Sequence, residues 1–129
     1  MIIDASALVA IVLREPGFEG LEQKIAGAQV TAVGCPTATE AAIVLDARLG
    51  APAGHTKLMR LVHEWAITLV PFGEDHWKQA VVAYARFGRG HHKAALNFAD
   101  CMSYAVAKLA NQPLLCVGDD FAKTDLTLA

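Results

Sequence analysis

The sequence predicts an α/β sandwich with a mainly parallel central sheet flanked by helices. Three observations carry this. Short apolar runs alternate along the chain with longer helical patterns, the arrangement of crossover units that build parallel sheets. The 129 residues are 54% hydrophobic and only 19% charged, which fits one compact, well-buried domain over residues 1–129 and excludes disorder. No apolar run approaches the roughly 20 residues needed to cross a bilayer.

The elements follow in order. Met1 to Ile3 reads as a short buried strand, and Ala5 to Leu13 as a helix stopped by Glu15-Pro16-Gly17. Phe18 to Ala26 is a second helix, ended by Gly27, and Gln29 to Val33 a strand. Pro36 to Leu49 reads as a helix opened by Thr37-x-x-Glu40, a capping-box pattern, and closed at Gly50. Thr56 to Ala66 is a helix running into the strand Ile67 to Val70. Glu74 to Phe87 is a helix after the turn Pro71-Phe72-Gly73. A loop from Gly88 precedes a helix from Asn97 to Ala110, and Leu114 to Val117 is a last buried strand before the turn Gly118-Asp119-Asp120-Phe121. There is no internal repeat and no low-complexity tract.

Met1-Ile2-Ile3 runs straight into Asp4 without a basic leader region, so the expected location is the cytoplasm. Cys35, Cys101 and Cys116 are widely spaced among apolar neighbours and read as buried, reduced thiols. The formal charge of −2 gives no global attraction to nucleic acid, so a phosphate-bearing substrate would need metal ions or a local basic patch.

In parallel sheets the ligand site lies beyond the carboxyl ends of the strands. Asp4 follows the first strand directly, and Asp119-Asp120 follow the last by one glycine. Glu40 and Asp100 stand in the first turns of two helices. Each has a plain structural reading: Asp4 as a helix cap, Glu40 as partner of Thr37, Asp100 as partner of Asn97, Asp120 as a turn residue. Together they form a set that can converge at one sheet edge. Crowded carboxylates raise one another's pKa unless a cation sits among them, and Mg²⁺ suits an all-oxygen site able to promote phosphodiester hydrolysis.

The segments Met1-Ile2-Ile3-Asp4-Ala5-Ser6-Ala7-Leu8, Thr39-Glu40, Leu96 to Ala105 with Asn97-x-x-Asp100, and Pro113 to Asp125 resemble the PIN-domain family, within it the VapC-type toxins of bacterial toxin–antitoxin pairs. The resemblance spans essentially the whole chain and implies a PIN-like α/β/α sandwich. It also implies a Mg²⁺ site (Mn²⁺ able to substitute) made by Asp4, Glu40 and Asp100 with Asp120 as fourth acid. Asp4 and Asp100 would be the principal ligands, with Glu40 and Asp120 acting partly through water. The implied activity is endoribonuclease cleavage of structured RNA, transfer or ribosomal. The implied partners are a second copy of the chain and a small VapB-type antitoxin, with DNA met only through that antitoxin. Ser6 falls where the family carries Ser or Thr, placed to hold Asp4. Ala99 departs from the glycine common in relatives.

Other signals are weaker. His63-Glu64 lacks the second histidine of a zinc protease, since position 67 is Ile67. His91-His92 has no zinc-ligand partners at ligand spacing, and Gly88-Arg89-Gly90 is no nucleotide fingerprint. Asp4-Ala5-Ser6 lacks the second acid of a phosphatase nucleophile motif. Arg86, Arg89, His91, His92 and Lys93 form a basic run that reads equally as a solvated loop or as a phosphate contact. Trp65 and Trp77 sit in helical apolar patterns and read as core or pairing contacts rather than stacking platforms. The rival functions are a non-catalytic regulator, either a receiver or a scaffold in a DNA-binding repressor complex with its antitoxin, and a metal-dependent DNA nuclease. The receiver lacks its acidic pair after the first strand.

Overall fold

A computed structural model describes residues 1–129. Its elements are β1 (Ile2–Ile3), α1 (Ala5–Leu13), α2 (Phe18–Ala26), β2 (Ala32–Gly34), α3 (Cys35–Leu49), α4 (Ala53–Glu64), β3 (Thr68–Val70), α5 (Glu74–Phe87), α6 (Phe98–Ala110) and β4 (Leu114–Leu115). A 3₁₀ turn, Phe121–Lys123, follows. The four strands pair in the order β3-β2-β1-β4, and every pairing is parallel.

The two-residue pleat divides the core between the two faces of the sheet. Ile2, Ala32 and Leu114 point to one side and pack with α5 and α6 through Ala83, Phe87, Tyr104 and Ala105. Ile3, Val33 and Leu115 point to the other and pack with Leu8, Ala41, Leu45 and Leu58 of α1, α3 and α4. The result is the three-layer sandwich the alternation predicts. No helix is long and apolar enough to cross a membrane.

Strand β2 covers Ala32–Gly34 rather than Gln29 to Val33, α4 ends at Glu64 rather than Ala66, and three further boundaries differ from the sequence reading with a tertiary cause. Helix α4 begins at Ala53 rather than Thr56 because Gly54 lies against α3. A Cβ there would stand 2.3 Å from the Leu45 carbonyl carbon. Asp46 of α3 then caps the new helix from outside, accepting the His55 backbone N–H at 2.8 Å. Strand β4 stops at Leu115 because the next ladder donor, the Val117 N–H, is given to Ser6 Oγ at 3.0 Å. Helix α3 begins at Cys35 with Gly34 as its N-cap, so Thr37 is inside the helix and makes no capping box. Its Oγ1 lies instead 3.0 Å from Ser103 Oγ of α6, both hydroxyls buried.

Cys35 also departs from expectation. As first residue of α3 it reaches the surface at the sheet's carboxyl edge and is exposed, whereas Cys101 is buried and Cys116 half-buried. Trp65 is half-buried against the core, but Trp77 is 59% exposed, so the core reading fails for it.

Candidate active site

The carboxyl edge of the sheet is where the chain leaves β1, β2 and β4, and the acids stand there. Asp4 continues the β1 ladder through its N–H to the Leu115 carbonyl at 2.9 Å, then turns into α1 as its N-cap. It is 5% exposed. Its Oδ2 accepts the Ser6 N–H at 3.0 Å and the Ser6 hydroxyl at 2.6 Å. Because Ser6 Oγ also accepts the Val117 N–H, one hydroxyl fixes the Asp4 carboxylate and ties the end of β4 to the start of α1.

Asp100 is held by a reciprocal pair at the start of α6. Its N–H donates to Asn97 Oδ1 at 2.9 Å, and its Oδ2 accepts the Asn97 N–H at 2.8 Å. The capping readings of Asp4 and Asp100 are therefore correct, yet each cap engages Oδ2 alone. Glu40, relieved of the capping role by the earlier start of α3, is half-buried one turn into that helix.

Burial is the first cause of the perturbed charges here. It pushes the Glu40 carboxyl up to about 7, with the negative fields of Asp4 and Asp100 adding to it. The Asp100 carboxyl is likewise raised, first by burial and then by Asp4 and Asp120. The Asn97 N–H and the Arg89 guanidinium oppose the rise. The Cys116 thiol, beside the end of β4, is raised to about 11 by burial and by Asp4, Asp100 and Asp120. The four acids singled out from the sequence come from four separate segments, and their fields overlap: Asp4 and Asp100 act on Glu40, and Asp4 and Asp120 on Asp100.

At the last position Asp119 and Asp120 are both exposed, but only Asp120 acts on Asp100 and Cys116. Phe121, 4% exposed, anchors the turn between them and the core. Lys123 Nζ lies 3.6 Å from Asp120 Oδ1.

No three His, Cys, Asp or Glu side chains form a ready-made cage for a metal ion. The carboxylates lie within range of one another's fields. Their chemistry fits a hard divalent cation: all donors are oxygen, Asp4 and Asp100 keep Oδ1 free of hydrogen bonds, and Glu40 is short of positive charge.

The basic run ahead of α6 resolves residue by residue. Arg86 pairs with Asp125 at 3.2 Å. His91 Nε2 lies 2.8 Å from the Tyr84 carbonyl, and His92 Nδ1 accepts the Ala94 N–H. Arg89 and Lys93 are exposed and make no ion pair, and of the two Arg89 is within field range of Asp100. Its backbone is fixed by the Gly88–Leu96 bridge and by its N–H to the Leu96 carbonyl at 3.0 Å. Sequence reasoning did not separate it from its neighbours; its position next to a glycine, eight residues before Asn97, was the only signal available.

A parallel sandwich with converging acids at its strand ends defines a class of phosphodiester-cleaving α/β proteins, and the relatives agree. The chain matches the PIN domain family over residues 1–126. It is 45% identical to ribonuclease VapC36 of Mycobacterium tuberculosis, over 98% of this chain and 91% of that protein. Its fold matches the crystal structure of M. tuberculosis VapC20, described as a sarcin–ricin-loop-cleaving toxin. The TM-score is 0.82 at 16% identity, with 99% of this chain and 97% of the other covered. It also matches a chain of a toxin–antitoxin complex from Klebsiella pneumoniae, with TM-score 0.72, 14% identity and coverage of 99% and 95%. The chain belongs to the PIN-domain family, as an endoribonuclease of its VapC toxin branch. VapC ribonucleases of this family are generally metal-dependent.

Proposed function

We propose that Asp4, Glu40, Asp100 and Asp120 hold Mg²⁺, with Mn²⁺ able to substitute, and that this single PIN domain hydrolyses phosphodiester bonds of structured RNA, transfer or ribosomal, in the cytoplasm. The observation that carries the reading is Glu40: its carboxyl, raised to about 7 by burial and by the fields of Asp4 and Asp100, stands where a divalent cation would offset the crowded negative charge. A divalent ion there supplies charge to the phosphoryl oxygen and acidity to water. Asp4 and Asp100 are the principal ligands, because their caps fix Oδ2 and aim the carboxylates. Glu40 and Asp120 complete the site partly by accepting hydrogen bonds from water. Ser6 keeps Asp4 in its rotamer.

A small VapB-type antitoxin is the partner, a reading supported by the toxin–antitoxin complex of like fold. An antitoxin segment offering an arginine to the carboxylates would silence the site by replacing the cation's charge. DNA is reached only through the antitoxin. Two copies pair through apolar helix faces, of which exposed Ile43 and Met59 are examples.

The test is to purify the chain free of antitoxin and map the ends it creates in total cellular RNA. Discrete cuts are expected with Mg²⁺ or Mn²⁺ and none in EDTA. Undiminished cleavage in EDTA would overturn the carboxylate–metal reading.

A further inference from the structure

Glu40 stands on α3 and Asp100 on α6, and two contacts fix how those helices meet. Gly34, the N-cap of α3, lies directly on α6: a Cβ there would stand 2.9 Å from Val106 Cγ2. Three residues on, the Thr37 and Ser103 hydroxyls meet at 3.0 Å, each residue 1% exposed. Three residues also separate Thr37 from Glu40 and Asp100 from Ser103, the spacing of neighbours on one helix face.

An apolar pair would fill the same space, and a buried hydroxyl is costly unless it is hydrogen-bonded. Here each hydroxyl supplies the other's partner, and the bond is directional, so it holds at one separation where apolar contact would let the helices slide. The helices it joins carry like charges, since the field of Asp100 acts on Glu40. Asp4 is fixed separately, by Ser6. The spacing between Glu40 and Asp100 is thus left to this seam. Ion size turns spacing into selectivity. Mg²⁺ takes oxygens at about 2.0–2.1 Å in near-ideal octahedral geometry, whereas Ca²⁺ takes them at about 2.3–2.6 Å in flexible geometry. A seam that cannot give by a few tenths of an ångström suits the smaller ion and strains the larger.

We propose that the buried Thr37–Ser103 hydrogen bond sets the spacing between Glu40 and Asp100, and thereby makes the site favour Mg²⁺ and Mn²⁺ over Ca²⁺. Thr37 and Ser103 are positioning residues that touch no ion. This rests on the carboxylate–metal reading above.

Bound Mn²⁺ enhances the relaxation of water protons, and its displacement by Mg²⁺ or Ca²⁺ measures each affinity with no RNA present. The wild type, stripped with EDTA and then freed of the chelator, should bind Mg²⁺ more tightly than Ca²⁺. Thr37→Val keeps the side chain's shape and removes its hydroxyl, and it should narrow that ratio by about tenfold. Ser103→Ala should do the same, and the double variant no more than either alone. Thr37→Ser keeps the hydroxyl and should keep the wild-type ratio. A general loosening of the fold would lower both affinities together and leave the ratio unmoved. A ratio unchanged in Thr37→Val and Ser103→Ala, or a wild type that binds both ions equally, would overturn the spacing role while leaving the metal site standing. If Mn²⁺ gives no enhancement with the wild type, the carboxylate–metal reading falls, and the spacing role with it.

Discussion

Glu40 and Asp125 place the same functional group in opposite electrical company. Burial raises the carboxyl at both. At Glu40 the nearest charges are the acids Asp4 and Asp100, and the group reaches about 7. At Asp125 burial is outweighed by donors. The Tyr104 hydroxyl donates to Oδ1 at 2.6 Å, and Lys108 and Arg86 reach Oδ2 at 3.0 and 3.2 Å, bringing the carboxyl down to about 2. Asp125 holds the terminal segment, whose Leu126 and Leu128 pack on the core and whose Leu128 bridges to Leu114. One acid is surrounded for stability. The other sits among like charges, the electrical setting that the proposed cation would relieve.

The sharpest way to break this contrast is to neutralise one acid on each side. Asp100→Asn should cut cleavage by about two orders of magnitude or more, since it removes a ligand charge. Its metal-free melting temperature should stay level or rise, because repulsion is relieved. Asp125→Ala should do the reverse. It leaves the buried Tyr104 hydroxyl unpaired, at a cost of about 1–3 kcal/mol, with cleavage at saturating Mg²⁺ little changed below the transition. Thermal melts in EDTA and cleavage rates on both variants check this. A large loss of stability in Asp100→Asn would mean that its capping role dominates.

The pH dependence sharpens the same contrast. Glu40 binds its proton more tightly folded than unfolded, so the metal-free fold loses stability as pH rises from about 4.5 through 7. With solvent screening the loss is about 1–2 kcal/mol. It should vanish in Glu40→Gln and flatten with Mg²⁺. Asp125 is shifted the other way. Its contribution is complete above the unfolded value of 3.8 and disappears as pH falls through about 2. Denaturant melts of wild type and Glu40→Gln between pH 4 and 8, in EDTA, would show it. Parallel curves would remove Glu40 from the cluster.

The smallest effect expected is at the strand end. Asp120→Asn should reduce cleavage less than Asp100→Asn does, and Asp119→Asn should be nearly silent, because only Asp120 acts on Asp100. Cleavage assays of the two at saturating Mg²⁺ decide the order. Greater damage from Asp119→Asn would mean that the turn after β4 presents the other acid.

What the sequence made legible were local rules. Asp4 after a three-residue apolar run, Asn97-x-x-Asp100 as a capping pair and Gly118 before two acids are all written in adjacent residues, and the structure keeps each arrangement. Where it was misread, a distant partner had taken over. Thr37-x-x-Glu40 has the capping pattern, but Ser103, sixty-six residues away, claims the Thr37 hydroxyl. The helix read from Thr56 starts at Ala53 because Gly54 packs where α3 leaves no room for a Cβ. Trp77 follows a helical apolar rhythm, yet its neighbours on α5 leave it in water. The division of labour within Arg86 to Lys93 depends on Asp125 and Tyr84, which no spacing rule could assign.

The two hydroxyl contacts, Ser6 with Asp4 and Val117, and Thr37 with Ser103, carry no formal charge and lie under the acids they serve. Thr37 and Ser103, each three residues along its helix from Glu40 and Asp100, tie α3 to α6 and oppose a spreading of those helices that would ease the repulsion. The framework is thereby preorganised. A cation bound as proposed would meet donors whose conformational entropy has already been lost at folding, and relief of the crowding would add to affinity rather than to movement. Deleting such a neutral pin would loosen the grip on charge without touching a single charged atom.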